Sequence, residues 1–191
     1  MREQTLVLLK PDCVQRGLIG QIISRFERCG LKIVAMKMKL ADEQTAAQHY
    51  IADDAWCNAI GEKQRASYAK KGVTVTKTNS ELGKDVQNKL ITFLQKSPVI
   101  AMVLQGHDAI AHVRKLVGST APKDSAPGTI RGDFSFDTYA LSDSQNRPLY
   151  NIIHASSEES EAKREIAIWF SDSEIHEWTR IDEVILYDTY K

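Results

Sequence analysis

Apolar positions along this chain change period several times, and each change marks an element. Thr5 to Leu9 is a short apolar run closed by Lys10-Pro11-Asp12, the pattern of a buried strand. Leu18, Ile22 and Phe26 then recur every four residues and predict a helix, with Gly30 placed as its C′ residue. Ala35 to Leu40 alternates, with Met36, Met38 and Leu40 on one face and Lys37 and Lys39 on the other, so it reads as a strand with one wet face. Asp42 is placed to cap a helix running to about His49.

The pattern returns after a polar gap. Val86, Leu90, Phe93 and Leu94 predict a helix over 84–96, and Pro98 to Leu104 a third strand, opened by a proline where strands tolerate one. Ile110, Val113 and Val117 mark the buried side of a helix over 108–117, and Leu149 to Ile153 a fourth strand. Ala162, Ile166, Trp169 and Phe170 predict a last helix over about 158–170. This order matches a ferredoxin-like α+β sandwich of the broad α/β class, a four-stranded antiparallel sheet covered by helices. The chain reads as one domain over 1–191 with two polar excursions. The first, 52–83, is Lys-rich, with Val73 to Thr78 β-prone but isolated. The second, 137–148, reads as a lengthened hairpin or surface loop.

Composition narrows the class. With 191 residues and 42% hydrophobic content, the chain has enough apolar material for one sizeable core. Twenty-five basic and twenty-five acidic side chains cancel, so no global charge points to nucleic acid or an anionic membrane. Cys13, Cys29 and Cys57 are odd in number and lack CxxC spacing, which argues against a disulfide framework or a zinc site. No signal-peptide pattern opens the sequence and no apolar run approaches a membrane span, so the expected compartment is the cytoplasm.

The candidate chemistry centres on Asn151-Ile152-Ile153-His154-Ala155-Ser156, where a histidine follows an apolar run and precedes a helix start. An imidazole is largely neutral near pH 7 and can carry a transferred group covalently. Ser156 and Glu159 have capping-box spacing. Glu165 borders the apolar stripe of the last helix, where a carboxylate can hold one ring nitrogen of His154 and leave the other free to attack.

Gly118 to Asp133 is a long stretch without periodicity, fixed by two prolines and three glycines. It carries Ser119, Thr120, Lys123, Thr129 and Arg131, all phosphate-compatible donors, and Arg114 lies just before it. Arginine suits bidentate phosphate contacts, and a lysine such as Lys10 acts as a point charge. GxxxxGK[ST], GxGxxG, the kinase catalytic-loop pattern and GxSxG are all missing, so a phosphoryl-transfer enzyme of this sequence must position phosphates otherwise, and a covalent phosphohistidine is one solution.

Lys10-Pro11-Asp12, Gln15 to Gly20, Pro127 to Phe134 and Asn151 to Ser156, in that order, resemble the nucleoside diphosphate kinase family over most of 3–170. The resemblance implies transfer of a γ-phosphoryl group from a nucleoside triphosphate to a nucleoside diphosphate, ping-pong through phospho-His154. It implies Mg²⁺ held by the nucleotide phosphates rather than by a protein metal site. Glu165 and Ser156 would orient His154, and Lys10, Tyr50, Arg114, Thr120, Arg131 and Asn151 would bind phosphates or ribose or support the histidine. Val86 and Leu90 fall at the base-contacting positions, with Val86 where the family usually presents phenylalanine. Pro122 matches a loop proline used between subunits, implying a homo-oligomer, hexamer or tetramer. Cys13, Ala155 and Ser157 depart from the family pattern, and none removes a group needed for phosphoryl transfer.

A competing class is a nucleotide- or RNA-binding module on the same topology, whose RNA readers present aromatics on their sheet. The strands here carry none at such positions, and no membrane or specific nucleic-acid partner is expected. A third is an inactive family member kept for assembly, against which intact Lys10, Arg131 and His154 argue.

Overall fold

The computed structural model describes residues 2–70 and 72–187. Four strands, β1 (Glu3–Leu9), β2 (Lys32–Lys39), β3 (Val99–Gly106) and β4 (Ile153–Ala155), form one antiparallel sheet in the order β2-β3-β1-β4. β3 is buried along its whole length, as a central strand covered on both faces must be.

Ten helices accompany the sheet among the described residues: α1 (Pro11–Gln15), α2 (Ile19–Arg28), α3 (Glu43–His49), α4 (Asp54–Lys70), α5 (Asn79–Leu94), α6 (Ala109–Val117), α7 (Ile130–Phe134), α8 (Tyr139–Ser144), α9 (Glu159–Trp169) and α10 (Glu183–Leu186). One core lies between Val7, Leu9, Met102 and Leu104 of the sheet and Ile22, Phe26 and Val113 of α2 and α6. The other lies between Leu6, Leu8, Ala101 and Val103 and Ala46, Leu94 and Trp169 of α3, α5 and α9. With helices packed on both faces, the expected sandwich is present.

Several local expectations differ from the structure. β4 begins at Ile153 rather than Leu149, so His154 sits inside the strand, opposite Leu8 of β1. Ile152 is the cause: its φ of 58° and the Ile153 N–H···O=C Asn151 bond of 2.7 Å make a positive-φ γ-turn, which cannot continue a ladder. The Ser156–Glu159 capping box does not form. Glu158 is the N-cap of α9 without a side-chain bond, and Ser157 pairs with Glu161 instead. The Ser156 hydroxyl is fully buried and donates elsewhere.

The 52–83 excursion is mostly helical. α4 covers Asp54–Lys70, α5 starts at Asn79 with a Thr78–Glu81 capping box, and 73–78 forms no strand. The 137–148 excursion holds the short helix α8 rather than a hairpin. Residues 171–187, past the last predicted helix, run beside edge strand β2, where the His176 amide donates to Val34 O and the Trp178 indole to Ile33 O.

Candidate active site

His154 projects from β4 with about a fifth of its side chain exposed. Its Nε2 lies 2.9 Å from the carboxylate of Glu165, which α9 presents at 1% exposure. Ser156 Oγ donates to the same carboxylate at 2.7 Å. A carboxylate in that position accepts Nε2–H and leaves Nδ1 as the unprotonated nitrogen; among the described residues Nδ1 has no hydrogen-bond partner. Burial pushes the His154 pKa down to about 3, and the neighbouring Lys10, Arg131 and Arg114 add to the shift against Glu161. The ring is therefore neutral and nucleophilic throughout the physiological range. Burial raises the Glu165 pKa, against the opposing influence of His49, Ser156 and Arg164.

The turn before His154 is pinned by the segment after β1. Asp12 Oδ2 accepts the Ile152 amide at 3.0 Å, and the Lys10 amide donates to Ile152 O at 2.8 Å. A β-branched residue at positive φ costs on the order of 1–3 kcal/mol and persists only when its surroundings enforce it. Asn151 is consequently held against Lys10 and the long loop. Lys10 Nζ donates to Asn151 Oδ1 at 2.7 Å, and Asn151 Nδ2 donates to Thr120 O at 2.8 Å. Burial, then Arg131, lowers the Lys10 pKa to about 8 against the opposing influence of Asp12.

Arg131, on α7, spans the gap between loop and strand. Its Nη1 donates to Gly118 O and Ser119 O at 3.2 and 2.9 Å, its Nε to Asn151 O at 3.2 Å and its Nη2 to Ile153 O at 2.7 Å. Burial, then Arg114, lowers its pKa to about 10. Arg114 at the end of α6 is exposed and, among the described residues, its guanidinium has no hydrogen bond or ion pair, as is true of the Thr120 hydroxyl. Tyr50 follows α3, and its buried hydroxyl has no partner, an orphan that a bound ligand would satisfy. Burial, then Glu165 and Asp12, raises the Tyr50 pKa.

The structure thus gathers two bonded groups into one site, His154 and Ser156 on Glu165 and Lys10 and Arg131 on Asn151, with Arg131 also reaching the carbonyl of Ile153 beside His154. Arg114 is close enough to influence His154, and Tyr50 to be influenced by Glu165. Val86 and Leu90 lie half-buried on α5, tied to Tyr50 through the 2.7 Å bond from Gln87 Nε2 to Tyr50 O. Thr129 leaves the phosphate-donor group: its hydroxyl bonds Ala126 O and the Gly132 amide, capping α7. Lys123 and Ser119 are exposed, with no side-chain link to the network. Cys13 is a buried thiol pushed up to about 12, chiefly by burial, so it packs and does not react.

Two residues without a role in the motif reading stand out. Asp12 fixes the turn, and its place in Lys10-Pro11-Asp12 was the available signal. His49 is buried with Nδ1 3.5 Å from Glu165 Oε1 and 3.4 Å from the donating Trp169 Nε1, its ring edge-on to His154 at 4.6 Å. Only its position beside Tyr50 hinted at this.

A family model described as nucleoside diphosphate kinase matches residues 3–56 and 69–175. The chain belongs to the nucleoside diphosphate kinase family. Its curated relatives include nucleoside diphosphate kinases of Pyrobaculum aerophilum, 42% identical over 92% of this chain and 98% of that one, and Borreliella burgdorferi, 45% identical over 95% of each. Solved structures agree. An NDP kinase from Pyrobaculum aerophilum superposes with a TM-score of 0.89 at 40% identity, covering 93% of this chain and 100% of that one. A transition-state mimic of the Borrelia burgdorferi enzyme with bound vanadate and ADP gives 0.79 at 42% identity, with 96% of each covered. Membership carries the family reaction, phosphoryl transfer from a nucleoside triphosphate to a nucleoside diphosphate. The model match leaves out 57–68, inside the first polar excursion, and runs through the second.

Proposed function

We propose that His154 Nδ1 carries the phosphoryl group. The observation that carries this reading is the 2.9 Å contact between Nε2 and Glu165, which fixes the tautomer and leaves Nδ1 unbonded. In the first half-reaction the Nδ1 lone pair attacks the γ-phosphorus, the bond to the β,γ-bridging oxygen breaks, and the nucleoside diphosphate leaves. Glu165, itself held by Ser156, steadies the positive charge that then spreads over the ring. In the second half a terminal β-phosphate oxygen of another nucleoside diphosphate attacks phosphorus and the His154 N–P bond breaks, restoring neutral imidazole.

Lys10, Arg114 and Arg131 offset charge on the transferring group, whose passage depends mainly on positioning and electrostatics. The Tyr50 hydroxyl, Thr120 and Asn151 complete the phosphate and ribose contacts. Val86 and Leu90 face the base.

A divalent ion, Mg²⁺, belongs to this reading as part of the nucleotide. Among the described residues one group of three possible metal donors is close, His49, His154 and Glu165. It offers two imidazoles and one buried carboxylate, whereas Mg²⁺ favours oxygen ligands and retained water. The residues therefore fit an ion delivered on phosphate oxygens, where it neutralises charge.

A homo-oligomer, hexamer or tetramer, is part of the same reading. Its support is the outer half of edge strand β2 and the residue after it, where Met36, Met38 and Leu40 are 54%, 59% and 59% exposed, rather than Pro122, which is buried within the chain. We also read the chain as one domain with excursions at 52–83 and 137–148. A cytoplasmic setting suits its three free cysteines, and among the described residues no helix is long and apolar enough to cross a membrane.

The test is labelling with γ-³²P-ATP. His154→Ala or His154→Asn should abolish acid-labile labelling and transfer to added GDP while the fold persists. Wild-type labelling in His154→Ala would sink the mechanism.

A further inference from the structure

The two polar excursions, far apart in sequence, meet in space. Asp143 in α8 accepts hydrogen bonds from Gln64 Nε2 at 3.2 Å and Ser67 Oγ at 2.9 Å, both on α4. Beside it, Lys89 Nζ of α5 donates to Asn146 Oδ1 at 2.7 Å. Neither end of this bridge is loose. At the neck of the 137–148 segment, the Arg147 guanidinium makes two bonds to the buried Asp137 carboxylate, at 2.6 and 3.0 Å, and Asp137 also accepts the Tyr150 amide at 2.7 Å. Arg147 lies over the Tyr150 ring at 4.2 Å, and that ring stacks on Phe93 of α5 at 4.6 Å.

On the other side, α4 and α5 approach so closely that only glycine fits. A Cβ at Gly61 would lie 1.8 Å from Asn79 O, and one at Gly83 2.2 Å from Cys57 O. The two helices therefore move as one piece. That piece carries Val86 and Leu90 and touches the phosphate network through Gln87 and Tyr50.

We propose that Asp143 is a positioning residue for the nucleoside. It clasps α4 to the segment leading into Asn151 and thereby fixes how far α5 stands from the phosphate-binding network. This rests on the reading that α5 faces the base. Loss of the clasp lowers the fraction of molecules with α5 in place and raises apparent dissociation constants by that factor. His154, Glu165, Ser156 and Lys10 lie on β4, α9 and the end of β1, so the chemical step is spared.

The experiment compares Asp143→Ala, Asp143→Asn and the pair Gln64→Ala/Ser67→Ala in the full-length enzyme. The expected result is a KM for both nucleoside di- and triphosphates raised about tenfold, the scale of one hydrogen bond to a charged group, with kcat within about twofold. Asp143→Asn keeps an acceptor and should restore most of the affinity. The triple variant should be no worse than Asp143→Ala, which already removes the bonds to Gln64 and Ser67. Labelling of His154 by inorganic triphosphate, which has no base, should proceed at the wild-type rate. A KM within twofold of wild type in Asp143→Ala overturns the proposal, as does inorganic-triphosphate labelling that falls in parallel with nucleotide exchange. Val86→Asp separates this from the underlying reading: unchanged KM there moves the base away from α5, whereas raised KM there with normal KM in Asp143→Ala rejects the clasp alone.

Discussion

The two ends of the cleft are built by different means. Around His154 the polar groups are buried and bonded largely to backbone: Arg131 to four carbonyls, Asp12 to the Ile152 amide, Asn151 to Thr120 O. Such bonds persist unless the sheet and its loops come apart, so donors and nucleophile stay fixed before substrate arrives. At the α5 end the connections run between side chains, Asp143 of α8 to Gln64 and Ser67 of α4, and Lys89 of α5 to Asn146 just past α8, partly exposed or wholly so. Contacts of that kind are individually weak and open easily. The difference matches the chemistry, since phosphoryl transfer needs preorganised charge whereas a site taking several bases needs only a tolerant apolar wall.

The largest expected effect breaks the phosphate end. Losing one preorganised charged donor costs on the order of 3 kcal/mol, so Lys10→Ala should lower kcat about 10²-fold. Arg131→Lys should lose nearly as much, because an ammonium cannot span the carbonyls of Gly118, Asn151 and Ile153 at once. Steady-state exchange within twofold of wild type in either variant would move these residues out of the site.

The next effect is on pH dependence. Lys10 is charged below its pKa of about 8 and neutral above, so kcat/KM should fall as pH rises through that value. Bound phosphates favour the ammonium, so the limb in kcat should lie at higher pH. Lys10→Arg should remove the limb from a kcat/KM profile, and a limb that stays would assign it to another group. His154, low at about 3, gives no acid limb between pH 5 and 7.

At the other end, Gly83→Ala forces a methyl against Cys57 O and should destabilise by about 1–3 kcal/mol in denaturant unfolding. Nucleotide KM should rise in the same variant while kcat changes little. A parallel fall in kcat would show that the two ends are not separable. The smallest effect sharpens the contrast: Val86→Phe adds apolar contact and should tighten nucleotide binding several-fold, read by titration, within the roughly 1–3 kcal/mol that such changes are worth.

Legibility in the sequence followed the same division. Strands β1, β2 and β3 and helices α2, α5, α6 and α9 were visible because each buries large apolar side chains at a regular period, whereas the Ile152 turn displaced β4 from the expected 149–153. α4 was missed for a physical reason: it meets α5 through Gly61 and Gly83, by backbone approach, and leaves no strong apolar stripe. α8, six residues long, is capped by Thr138, and its apolar Leu141 stays partly exposed.

The sequence by itself determined the sandwich, the motif holding His154 and the loop holding Arg131, because hydrophobic period and local donor chemistry are properties of neighbouring residues. Only the tertiary structure decided which partner each polar group took. Ser156 gave up a helix cap for Glu165, Thr129 capped α7 and left the phosphate donors, and His49 was drawn against Glu165. The strained Ile152 holds its angle because Asp12 accepts its amide and the Lys10 amide donates to its carbonyl, both about 140 residues away in sequence. A buried polar group must find a partner wherever packing offers one, and packing is a property of the whole chain.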